Sequence, residues 1–140
     1  MKARSARVRV LLACVGAIAV VALAGCSSSS SSKPAYCTDR TNLENSVKGL
    51  TSLTGSSGIS GLKSQLTQIE SNATALVNSA KSDFPSQTSA ISSSVSALKN
   101  SVTALPSSPS ATQIATVAKD ASSVVSSVKS FTDATSSQCG

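Results

Sequence analysis

From residue 41 onward the apolar positions recur at alternating steps of three and four, the spacing that lines up one face of an α-helix. Over 41–53 the stripe is Leu43, Val47, Leu50 and Leu53, and over 59–80 it is Ile59, Leu62, Leu66, Ile69, Ala73, Leu76 and Ala80. Over 84–105 it is Phe84, Thr88, Ile91, Val95, Leu98, Val102 and Leu105, and over 114–131 it is Ile114, Val117, Ala121, Val124, Val128 and Phe131. Four amphipathic helices with coiled-coil-like heptads are predicted. Gly55-Ser56-Ser57-Gly58, Phe84-Pro85 and Pro106-Ser107-Ser108-Pro109 separate them. Breaks this short force neighbouring helices to run antiparallel, so the expected fold is an all-α up-down-up-down four-helix bundle. Thr41 with Glu44, and Ser110 with Gln113, have the spacing of a capping box.

The first 25 residues follow another pattern. Lys2, Arg4, Arg7 and Arg9 stand without any acid in 1–10, and 8–25 is apolar apart from Arg9. A basic end followed by an apolar stretch is the layout of a secretory signal. The competing reading is a permanent membrane span, for which the run from Val10 to Gly25 is short of the usual length of about 20 residues. No basic stop follows it either.

Leu23-Ala24-Gly25-Cys26, at the end of that run, resembles the lipobox of bacterial membrane lipoproteins. The resemblance covers the first fifth of the chain. It implies a diacylglyceryl group on the Cys26 thiol and cleavage between Gly25 and Cys26. Two acyl chains hold a protein at a bilayer where one chain binds only marginally, since each buried methylene contributes about 0.8 kcal/mol. The implied address is the outer face of the bacterial cytoplasmic membrane, with the membrane itself as partner through the anchor. Ser27 to Ser32 with Lys33 and Pro34 hold nothing apolar and read as a tether, so the expected organisation is signal peptide 1–25, lipidated tether 26–36 and helical domain 37–140. Taken whole, the lipobox, serine tether and Ala/Ser/Thr/Val-rich helical part resemble small uncharacterised lipoproteins of actinobacteria.

Removing the leader changes the charge balance. The full chain carries +6, but from Cys26 onward eight bases face six acids, a net +2. Those bases are dispersed singly, without the stripe that grips nucleic acid, and no nucleic-acid partner is expected. Four cysteines occur. Cys14 belongs to the leader and Cys26 to the lipid, which leaves Cys37 and Cys139 to pair in a compartment where disulfides persist. Two free thiols or an intermolecular bridge are the alternatives. An even number of helices brings the start of the first and the end of the fourth to the same end, where such a bridge needs them. More than a quarter of the chain beyond Cys26 is serine, a poor residue for helix interiors. Modest stability is expected.

No histidine is present, which removes Ser-His-Asp and Cys-His nucleophile pairs and every His-containing zinc site. Asp39, Glu44, Glu70, Asp83, Asp120 and Asp133 show no metal-loop spacing. Asp39 reads as a helix-start residue. Gly55, Gly58 and Gly61 lack the strand-to-helix context and the Gly-Lys-Ser/Thr ending of a phosphate loop. Asn72-Ala73-Thr74 matches the glycosylation triplet within a helical stretch, where it reads as chance. Neither a metal nor an organic cofactor is implied, and no enzyme activity is expected. Because the first helix reads several residues shorter than the others, Leu53, Ile59, Leu62, Leu105 and Ile114 form a candidate apolar notch at the end away from the membrane. The expected role is structural or adaptor-like; the alternative is a module binding an apolar or lipidic ligand between its helices.

Overall fold

The computed structural model describes residues 32–52 and 58–140. The leader, the lipobox with Cys26, and Leu53 lie outside them. The described residues contain four long helices and a final single turn: α1 (Ala35–Ser52), α2 (Gly58–Ala80), α3 (Pro85–Thr103), α4 (Ala111–Ala134) and α5 (Ser136–Cys139). Each long helix packs on the next, and α1 returns onto α4. The result is an up-down-up-down four-helix bundle.

The heptad stripes face inward. Leu43, Ile69, Leu76, Ile91, Leu98, Val102, Val124 and Phe131 are fully buried, so every long helix contributes to one core. Punctuation sets the helix ends. Pro85, which has no N–H to leave unsatisfied, opens α3. Ser110 caps α4: its Oγ accepts from the Gln113 backbone N–H at 3.3 Å, and the Ser110 N–H donates to Gln113 Oε1 at 2.9 Å. Gly58, at φ 60°, opens α2 from the left-handed region that a Cβ disfavours.

The start of α1 differs from the sequence reading. The helix begins at Ala35, six residues before Thr41, so Ala35 and Tyr36 leave the tether and join the bundle. The Cys37 N–H donates to Pro34 O at 2.9 Å, closing the first turn. Tyr36 and Cys37 are both buried, and their burial outweighs the local capping preference at Thr41. No capping box forms there: Thr41 Oγ1 donates to Cys37 O, and Glu44 accepts from Thr132 Oγ1 of α4. Asp39 is likewise no helix-start residue. It lies inside α1 and accepts from Ser79 Oγ of α2 at 2.6 Å. With these additions α1 has 18 residues, close to the 19 of α3 but still shorter than the 23 of α2 and the 24 of α4, so the expected shortness of the first helix holds against two of the other three.

Candidate functional site

One end of the bundle is tied several times over. Cys37 and Cys139 form a disulfide with an S–S distance of 2.04 Å and Cα atoms 5.3 Å apart. α5 makes this possible, because after the buried Thr135 it turns the chain back over the start of α1. Arg40 Nη1 donates to Thr135 Oγ1 at 3.3 Å, and Arg40 Nε stands 3.6 Å from Glu44 Oε1. Lys33 Nζ donates to the Cys139 carbonyl at 2.7 Å. Beneath the disulfide lie Tyr36, Phe84 and Phe131, in mutual edge-to-face contact with centroids 5.4 to 6.2 Å apart. They are every aromatic residue of the chain.

Four of the five notch residues are described, and they are not equally covered. Leu62 and Leu105 pack against the core, Ile59 is half-buried, and Ile114 is 54% exposed. An open groove of about 330 Å³ runs between α1 and α4. Val47, Val125 and Val128 form its apolar floor, with Lys48 and Glu44 on one rim and Lys129 and Asp133 on the other. Lys129 and Asp133 pair along α4 at 2.8 Å, which leaves the α4 rim locally neutral.

Val125 is the residue that sequence reasoning passed over. It sits beside Val124 of the buried stripe, and this doubling of valines widens the apolar face of α4 toward α1. It remains 40% exposed in the groove. Among the described residues, no group of three or more metal-ligating side chains gathers, and no helix is long and apolar enough to cross a membrane. Comparison of the chain with models of protein families, with curated proteins and with solved structures returned no match.

Proposed function

We propose that this chain is a non-enzymatic, lipid-anchored protein of the bacterial cell envelope, structural or adaptor-like in role. The leader directs export, Cys26 takes the diacylglyceryl group, and cleavage after Gly25 leaves the bundle held at the outer face of the cytoplasmic membrane. Leu23-Ala24-Gly25-Cys26, at the end of a basic then apolar leader, carries this reading. Two features support it. The Cys37 to Cys139 bond suits an oxidising compartment. α1 begins nine positions after Cys26, and at about 3.3 Å per extended residue such a tether keeps the bundle within about 30 Å of its anchor. Metabolic labelling with an alkyne fatty acid should tag the chain, and Cys26→Ser should abolish the tag and accumulate uncleaved precursor. An untagged wild-type chain sinks the reading.

The α1/α4 groove favours a second reading, in which the bundle holds an apolar or lipidic ligand against Val47, Val125 and Val128. A hydrophobic fluorescent dye should then bind the folded chain, and Val125→Lys should weaken binding at least about tenfold by placing a charge on the floor. Dye fluorescence indifferent to that substitution removes the groove as its site.

A further inference from the structure

On the flank between α1 and α2 lies a second groove of opposite chemistry, enclosing about 460 Å³. Five of its lining residues are primary amides: Asn42 and Asn45 on α1, and Gln65, Gln68 and Asn72 on α2. They are half of the ten Asn and Gln residues in the chain. Ser46 and Gly49 complete the lining, and no residue in it is charged.

The pattern is ordered. Asn42, Asn45 and Gly49 stand at steps of three and four along α1, and Gln65, Gln68 and Asn72 repeat those steps along α2. Two polar stripes therefore face each other beside the apolar seam. Gly49 is what lets them approach: a Cβ there would lie 2.5 Å from Gln65 Nε2. Through that gap Gln65 Nε2 donates to Ser46 O at 2.6 Å, while Asn72 Nδ2 donates to Asn42 O at 3.2 Å. Each bond uses one N–H of its amide and fixes the amide plane, holding the Gln65 and Asn72 side-chain oxygens as oriented acceptors. The side chains of Asn42, Asn45 and Gln68 are exposed beside them.

Such an array discriminates by what it lacks. A charged ligand meets no counter-charge in it, and an apolar ligand meets no apolar floor. Primary amides donate and accept at once, which matches the hydroxyl and acetamido groups of a sugar chain. Successive amides on one helix face are about one turn apart, a rise of about 5.4 Å, comparable to the length of a pyranose unit. The geometry points to the α1/α2 groove as a binding site for an uncharged N-acetylated glycan. Asn45 and Gln68 read its acetamido and hydroxyl groups, and Gln65 and Asn72 serve as fixed acceptors. All three aromatic rings pack at the disulfide end, so no stacking platform reinforces these hydrogen bonds. Affinity in the range of about 1 mM is expected from neutral hydrogen bonds alone.

The test is titration of the full-length ¹⁵N-labelled chain, in detergent micelles, with chitotetraose. Saturable shifts should appear in the side-chain NH₂ signals of the five amides and in the backbone around Gly49. The double variant Asn45→Ala/Gln68→Ala alters only exposed side chains, so its backbone spectrum should show an intact fold while binding weakens at least about tenfold. Val125→Lys, in the other groove, should leave the shifts unchanged. Absence of saturable shifts, or shifts that persist undiminished in the double variant, overturns the site. Equal binding of maltotetraose, which has hydroxyls but no acetamido group, overturns the acetamido assignment.

Discussion

Phe131 is the largest fully buried side chain among the described residues, and its ring meets both Tyr36 and Phe84 edge to face. Aromatic pairs of this geometry contribute about 0.5–1.5 kcal/mol beyond the area they bury. Phe131→Ala removes two such contacts and leaves a cavity where α1, α4 and the α2–α3 turn converge, so a loss of about 3–5 kcal/mol is expected in urea unfolding. Ile114→Ser, at a position 54% exposed, should move the same midpoint by less than about 0.5 kcal/mol. A large loss at Ile114 would mean that the far end of the bundle is better covered than its exposure indicates. The aromatic cluster was not legible in the sequence. Positions 36, 84 and 131 belong to three different segments, and only the ring of helices brings them together.

Helices so rich in serine and threonine can bury some of those hydroxyls because each bonds to its own helix backbone. Ser46, Ser94, Thr88 and Thr135 are buried, and each donates to a carbonyl three or four residues earlier: Leu43, Ile91, Phe84 and Phe131 respectively. A buried hydroxyl satisfied in this way carries no desolvation penalty, although it adds little stability. The four helices were legible for a related reason. Hydroxyls interrupt helical propensity without interrupting the apolar period, so the stripes of Leu, Ile and Val stayed readable. Cap chemistry was legible only where nothing tertiary competed with it, as the two expected boxes show. Ser110→Ala should cost about 1 kcal/mol in thermal or urea unfolding. Thr41→Ala should cost less than about 0.5 kcal/mol, because Thr41 is an exposed residue inside α1 that only bonds back to Cys37. Equal costs at the two positions would contradict an α1 that starts at Ala35.

Across the whole molecule, the disulfide joins residues 102 apart in sequence and so closes nearly the entire described chain. In the chain-entropy model a loop of about 100 residues contributes about 4.7 kcal/mol, and measured bridges typically contribute 2–4 kcal/mol. A domain of this size shifts its melting midpoint by about 4–8 °C per kcal/mol. Cys37→Ser/Cys139→Ser should therefore lower the midpoint by at least about 10 °C at neutral pH, and an unchanged melt would show that the bond contributes nothing to the closed ring. The paired cysteines were foreseeable from the count of cysteines left beyond the leader and lipobox, with which the even number of helices agrees. The cover over them was not, because it depends on Tyr36 entering the core and on α5 folding back. That cover has a kinetic consequence. Cys37 and Cys139 are 6% and 3% exposed, so an attacking thiolate reaches the bond only after this end of the bundle opens. Reduction by dithiothreitol in native buffer should accordingly be slow and should accelerate with urea added well below the unfolding midpoint. Phe131→Ala, which loosens the packing under the bond, should accelerate it without urea. Rapid reduction of the wild-type chain in native buffer, at the rate of an exposed disulfide, would contradict a closed end.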